Sequence, residues 1–399
     1  MSGPVILRGA VLIHGDGRIA ALGPDDEVPR PDDATLEDFP DSVLLPGLVN
    51  VHTHLELTTL SGSIDDEEFC DWIRHVRRAK EALSHEEFLA AAEQGVRDAW
   101  GYGITTVGDT GDSGAVVEAL SRLGGRGVVF QEVFGPHPDQ AADAILALEG
   151  RVAELAGRAG STVRVGVSPH APYTVSAELY RLVAELAMRE DLPVALHIAE
   201  SPDELALVTR GEGPFAALWQ SRGIPEIQTA RSPVAFLART GILEAAPLAI
   251  HAVQTDGDDL DTLHENQCGI ALCLQSNGRH GHGFPPVKAM LDRGMALGVG
   301  TDSVASVESL DLLADLRMVS EQAGLGAEGA LRLATVEGAR VLGWDGEIGT
   351  LDPGKWADLC VRRLGPGPAG LAEGIVRGRA EDVLATYVAG RRVYEGRAA

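Results

Sequence analysis

The stretch Pro46-Gly47-Leu48-Val49-Asn50-Val51-His52-Thr53-His54-Leu55-Glu56 is a short apolar strand that ends in two histidines one residue apart. Successive strand residues face opposite ways, so His52 and His54 project to the same side. An open doubly wound sheet normally carries a glycine-rich phosphate loop after its first strand, and His52-Thr53-His54 stands in that place here. Two imidazoles on one face are half of a site for a zinc-like divalent ion, which takes nitrogen and oxygen ligands.

Working outward from residue 48, short apolar strands alternate with helix-period segments, the pattern of a parallel α/β fold. Eight strands are expected at 48–54, 105–109, 127–133, 163–168, 193–198, 248–253, 269–275 and 295–300. Leu179, Leu182, Val183 and Leu186 form one apolar stripe on a helix over 177–189. Ser84 and Glu87, just before Phe88 and Leu89, make a capping box that opens another helix. Eight such strands over roughly 300 residues favour a (β/α)8 barrel over an open sheet.

The ends read differently. Residues 1–45 suggest short strands at 5–7, 10–13 and 19–22, and the tail from 346 suggests strands at 357–361, 382–388 and 392–394. The two pieces are expected to pair into one small β-domain closed by both ends. This divides the chain into 1–47, 48–345 and 346–399. Gly365-Pro366-Gly367-Pro368-Ala369-Gly370 reads as a surface loop.

Composition narrows the partners. With 33 Lys and Arg against 59 Asp and Glu, the net charge of −26 repels nucleic acid and anionic membranes. Cys70, Cys268, Cys273 and Cys360 lack metal-knuckle spacing and are expected as buried free thiols, which suits a reducing cytoplasm. The start, Met1-Ser2-Gly3-Pro4, has no signal-peptide character, and no apolar run approaches the ~18 residues of a membrane span. A small-molecule substrate and a cytoplasmic location are expected.

In a barrel of this kind the C-terminal strand ends converge on one site. The unusual residues fall there: His52 and His54 on the first strand, His170 after the fourth, His197 on the fifth, His251 on the sixth, and Asp302 after the eighth.

These motifs resemble the metal-dependent amidohydrolase superfamily, in the branch of cytosine-deaminase-like, chlorohydrolase-like and adenosine-analogue deaminases. The matching segments are 46–54, His197-Ile198-Ala199-Glu200, His251, Ser276-Asn277, Gly300-Thr301-Asp302-Ser303 and the tail 349–359. The resemblance implies a distorted (β/α)8 barrel with a composite β-sandwich built from both ends, and a metal held by His52, His54, His197 and Asp302. Two-metal members bridge their ions with a carboxylated lysine ending the fourth strand. This chain has only Lys80, Lys288 and Lys355, so one ion is expected. Zinc is the first choice, and ferrous iron fits the same ligands. A homodimer is common among such relatives, and no residue pattern decides it here.

Such an ion lowers the pKa of its water from ~16 toward ~7, supplying hydroxide at neutral pH. Asp302 is placed to accept that water's proton. Glu200, three residues past His197, is placed to protonate a ring nitrogen and then help the amine leave. His251 would polarise or orient the hydroxide. A carboxylic acid beside the metal suits a ring N=C–NH2, and the segment 168–176 is similar to deaminases of adenosine, S-adenosylhomocysteine or 6-aminodeoxyfutalosine. His170, Trp72 and Ser303 are then candidate substrate contacts. Segments 232–237 and 285–287 look closest to the aminodeoxyfutalosine deaminases of menaquinone synthesis, where Arg279 could hold the benzoate by a bidentate contact. His280 and His282 depart from those relatives, which usually carry an aliphatic residue and glycines in that loop. Triazine-type chlorohydrolase and guanine or cytosine deaminase remain alternatives, as does an inactive binding relative. The latter would have lost metal ligands, and all four are present.

Overall fold

β-Branched and aliphatic runs in this chain leave little choice but buried strands. The computed structural model describes residues 3–64, 68–225, 227, 229–364 and 370–396. In chain order the strands are Gly9–Ile13 (β1), Ile19–Pro24 (β2), Ser42–Pro46 (β3), Leu48–Thr53 (β4), Ile104–Gly111 (β5), Arg126–Val133 (β6), Val163–Pro169 (β7), Ala195–Ile198 (β8), Leu248–His251 (β9), Gly269–Leu272 (β10), Leu297–Val299 (β11), Leu359–Arg363 (β12), Val383–Val388 (β13) and Arg391–Glu395 (β14).

Strands β4 to β7 form one parallel sheet in sequence order, and β8 to β11 form a second. The sheets touch at both edges through single parallel bridges, Val167 to Val194 and Thr53 to Asp302. Helices separate the strands in sequence. The one over His85–Gly101 opens with the expected capping box, in which Ser84 and Glu87 bond each other's backbone N–H at 3.3 and 2.8 Å.

Both faces of the parallel sheets are covered. Leu48, Val107, Val129, Val167, Leu196, Ala249, Ile270 and Val299, one from each strand, share the largest apolar cluster. Their neighbours Val49, Val128, Phe130, Leu248, Ile250 and Ala271 belong to a second cluster with Leu342, Trp344 and Ile348. The period-two alternation thus sorts β4, β6, β8, β9 and β10 between two cores, and each fully buried aliphatic contributes ~1.5–3 kcal/mol over an exposed one.

The two ends meet in one antiparallel sheet of order β14-β13-β12-β3, with the β1–β2 hairpin beside it. Arg18 bridges Trp356, and the Ile19 N–H donates to the Lys355 carbonyl at 2.8 Å.

Three expectations need correction. Residues 5–7 are not a strand: Arg8 turns left-handed (φ 52°) and Leu7 is exposed. The strand expected over 269–275 stops at Leu272, because Leu274–Arg279 coils into a short helix. β3 was not foreseen among the strands expected before residue 45. Gly47 separates it from β4, donating its N–H to the Asp358 carbonyl of the terminal sheet. All four cysteines are buried and unpaired. Among the described residues no helix is long and apolar enough to cross a membrane. Residues 365–369 of the expected loop lie outside the described residues.

Candidate active site

Asn50 is a polar residue set between Val49 and Val51 in β4, and it fastens one edge of the site. Its Nδ2 donates to Thr301 Oγ1 at 2.8 Å, while its Oδ1 accepts the Thr301 N–H at 3.1 Å. One residue on, the Asp302 N–H donates to the His52 carbonyl at 3.0 Å. Gly300 makes this approach possible, because a Cβ there would fall 2.8 Å from the His52 Cβ. The end of β4 and the segment after β11 are thereby locked side by side.

His52 Nε2 and His54 Nε2 each lie 3.3 Å from the same oxygen, Asp302 Oδ1. The expected same-side projection of the histidine pair is therefore realised. His52 Nε2 is buried and lacks the alignment of a hydrogen bond. Donor atoms of His52, His54 and His197 lie within 4.8 Å of one another, and so do those of His52, His251 and Asp302. Several imidazoles, one carboxylate and an orphaned imidazole nitrogen, all converging, are a donor set that fits a divalent ion.

The second sphere fixes the ring nitrogens. His197 Nδ1 faces the His170 carbonyl at 3.3 Å; a carbonyl only accepts, so Nδ1 carries the proton and Nε2 is left for the site. His251 Nδ1 pairs with Asn277 Oδ1 at 2.9 Å, leaving its Nε2 3.5 Å from Glu200 Oε1. Asp302 Oδ2 accepts from Ser276 Oγ at 2.5 Å, and Oδ1 accepts the Ser303 N–H at 2.7 Å. The short helix after β10 carries Ser276 and Asn277 back to both residues, and so that strand ends early.

The backbone is bent at the same places. Ala199, His251, Ala252 and Asp302 all adopt positive φ (51°, 76°, 49° and 63°). Such conformations cost on the order of 1–3 kcal/mol each and persist where the surroundings enforce them. Glu204 does so at one of them, accepting the N–H groups of Ala199 and Glu200 at 2.8 Å each.

Burial sets the charges. It drives the Glu200 carboxyl well above the ordinary carboxylate range, with Asp302 and Glu204 adding repulsion, which favours its protonated form. Burial brings His251 down to about 3, leaving a neutral imidazole. Burial alone would raise Asp302 as well, yet the His52 and His54 imidazoles hold it well below its usual value. Glu132, desolvated at the end of β6, is pushed up to about 7.

The structure brings together His52, His54, His197, His251, Asp302, Glu200 and His170, whose ring lies 4.8 Å from that of His197. Trp72 is buried and stacked on Phe69 at 6.0 Å. Ser303 is buried, its Oγ accepting the Ala305 N–H at 3.0 Å. Arg279 ends the helix after β10 on the exposed surface. Sequence reasoning passed over Glu132, which forms a third donor group with His170 and His197, and gave no role to Asn50, Asn277 or Glu204. The position of Glu132 at a strand's C-terminal end was the available signal.

Residues 43–393 match the sequence pattern of the amidohydrolase family. The chain belongs to the amidohydrolase family. Among relatives of this amidohydrolase, a 5-methylthioadenosine/S-adenosylhomocysteine deaminase of Symbiobacterium thermophilum is 31% identical, covering 97% of this chain and 89% of its own. A 5'-deoxyadenosine deaminase of Methanothermobacter thermautotrophicus is also 31% identical, covering 90% of this chain and 83% of its own. An adenosine deaminase from Xanthomonas campestris, solved with bound zinc, superposes with a TM-score of 0.81 at 25% identity, covering 96% of this chain and 88% of that one. The amidohydrolase is thus an enzyme of the hydrolase class.

Proposed function

We propose that this amidohydrolase is a metal-dependent hydrolytic deaminase that removes the amino group of a purine-nucleoside-type ring, with adenosine analogues as its substrates. The observation that carries the reading is Glu200. A buried carboxyl whose pKa is pushed up by burial stands three residues past His197, 3.5 Å from His251, and belongs to none of the metal-donor groups. The names of the 31%-identical relatives support the adenosine-type ring.

His52, His54, His197 and Asp302 would hold one divalent ion, zinc in our assignment, with ferrous iron compatible with the same donors. Bound there, the ion supplies Lewis acidity and a water that is nucleophilic at neutral pH. Asp302, steadied by Ser276 and Ser303, takes the proton of the attacking water. His251 aims that water through its free Nε2. Glu200 gives its proton to the ring nitrogen beside the amine-bearing carbon and recovers one from the added hydroxyl, while the proton held by Asp302 passes to the amine, which departs as ammonia. His170, Trp72 and Ser303 are assigned as substrate contacts. Support for a single ion comes from His197: its Nδ1 is spent on the His170 carbonyl, so it offers one nitrogen and cannot also serve an ion at Glu132 and His170. We further propose that the two parallel sheets close as a distorted (β/α)8 barrel over 48–345, with 1–47 and 346–399 completing a composite β-sandwich. Bridges at both sheet edges support the closure.

The test is ammonia release from the zinc-loaded enzyme with adenosine, methylthioadenosine, adenosylhomocysteine, 5'-deoxyadenosine, 6-aminodeoxyfutalosine, guanine and cytosine. Activity confined to the 6-aminopurine nucleosides is expected. Aminodeoxyfutalosine as the sole substrate would select the narrower reading in which Arg279 grips a benzoate. Chloride release from a chlorotriazine with no ammonia from any ring would overturn the proposal. Glu200→Gln is expected to lower kcat by about 10²–10⁴-fold while zinc stays near one per chain. A stoichiometry near two would refute the single ion, and zinc lost together with activity would refute the role of Glu200.

A further inference from the structure

His282 is a histidine for which the chemistry above has no use. Its residue is 5% exposed, and neither ring nitrogen has a hydrogen-bond partner among the described residues. Leaving two such atoms buried and unpaired is costly, and native structures seldom do so without a reason. The ring is held rather than loose. The His282 N–H donates to the Asn277 carbonyl at 2.9 Å, and its carbonyl accepts from Gln254 Nε2 at 2.7 Å. Both anchors sit beside His251, the first through the Asn277 side chain and the second three residues along the chain. Gly281 and Gly283, at φ 68° and 91°, form the turn that swings the imidazole inward. Phe69 meets the ring edge-on at 4.5 Å, and His280 lies nearly parallel to it at 5.4 Å, itself edge-on to Trp72 at 4.7 Å. His282 Nδ1 comes within 3.8 Å of Glu200 Oε1, too far for a hydrogen bond and close enough for both to reach one substrate ring.

We propose that His282 is a specificity-determining substrate contact whose nitrogen hydrogen-bonds the polar edge of the aminated ring next to the atom served by Glu200. This rests on the deaminase reading above. An imidazole locked by two backbone bonds and walled by Phe69 and His280 reads a planar heterocycle and is indifferent to what hangs from the sugar. Burial also keeps His282 neutral, at about 3, so it offers a donor and an acceptor rather than a cation.

His282→Phe keeps the ring shape and removes both nitrogens, and His282→Asn restores a donor and an acceptor near Nδ1. With adenosine, 5'-deoxyadenosine and methylthioadenosine, which differ only at the 5' position, His282→Phe is expected to raise KM about 10- to 100-fold, by the same factor for all three. Zinc content is expected to stay at the wild-type level, and His282→Asn to recover most of the loss. An unchanged KM, or factors that differ markedly between the three substrates, would overturn the proposal. Should His282→Phe fail to fold, His282→Ala carries the same expectation. If the wild-type enzyme deaminates none of them, the deaminase reading has failed. Binding of purine riboside to the zinc-loaded enzyme and its His282 variants, measured by calorimetry, then tests the ring contact separately, and equal affinities would refute it.

Discussion

Glu200 shows how one side chain acquires its chemistry from its neighbours. Its spacing from His197 is legible in the sequence, but its raised pKa is not, because that follows from burial and from the negative charges of Asp302 and Glu204. The consequence for pH has a definite sign. A general acid works while protonated, so activity carried by Glu200 is present below its raised pKa and lost as pH climbs through it. A profile of log kcat is therefore expected to hold level across neutral pH and fall on the alkaline side, with the fall absent from the residual activity of Glu200→Gln. A wild-type profile already falling near pH 4–5, the ordinary carboxylate range, would show an ionised Glu200 and remove its role. Asn277 and Glu204 were less legible still. Asn277 acts through the His251 ring and Glu204 through the backbone bend at Ala199, and no residue type announces either.

At the scale of elements, the eight parallel strands were all readable as apolar runs, and their ends were not. Leu274 to Arg279 extends the apolar run of β10 by a single residue and then turns polar, and it coils so that Ser276 and Asn277 reach Asp302 and His251. Similarly, β3 lies just before β4, and Gly47 separates them while donating its N–H to the Asp358 carbonyl. The contact between β4 and β11 depends on Gly300. Gly300→Ala places a methyl 2.8–2.9 Å from His52 side-chain and backbone atoms, so the strands must part. A loss of about 1–3 kcal/mol in urea unfolding is expected, together with weaker zinc affinity, because the displaced segment carries Asp302. Wild-type zinc affinity in that variant would mean that strand spacing does not set the metal geometry.

Across the whole molecule, one buried ion pair ties the parallel sheets to the terminal sheet. Arg126 on β6 donates to Asp358, just before β12, at 2.6 and 3.2 Å, and Asp358 also accepts the Ala389 N–H at 2.8 Å. Both residues are buried. Arg126→Met strands a buried carboxylate, and a loss of about 3–5 kcal/mol is expected, measured by denaturant titration. A change below ~1 kcal/mol, the range of an exposed pair, would show that water reaches Asp358 and that the tie is weak. The join between the two ends was anticipated from the strand-like composition of both. This tie was not, since nothing links residues 126 and 358 in sequence.

The register of β3 against β12 sets Pro46 opposite Leu359, about 300 positions later in synthesis. A ribosome must therefore make nearly the whole parallel-strand region, the proposed metal ligands included, before β3 finds its first partner in that sheet. Contacts of such long range form slowly. The sheet that clasps the two ends is thus the last part of the molecule to be sealed, and until then β3 waits as an unpaired edge, open to chaperones and to neighbouring nascent chains.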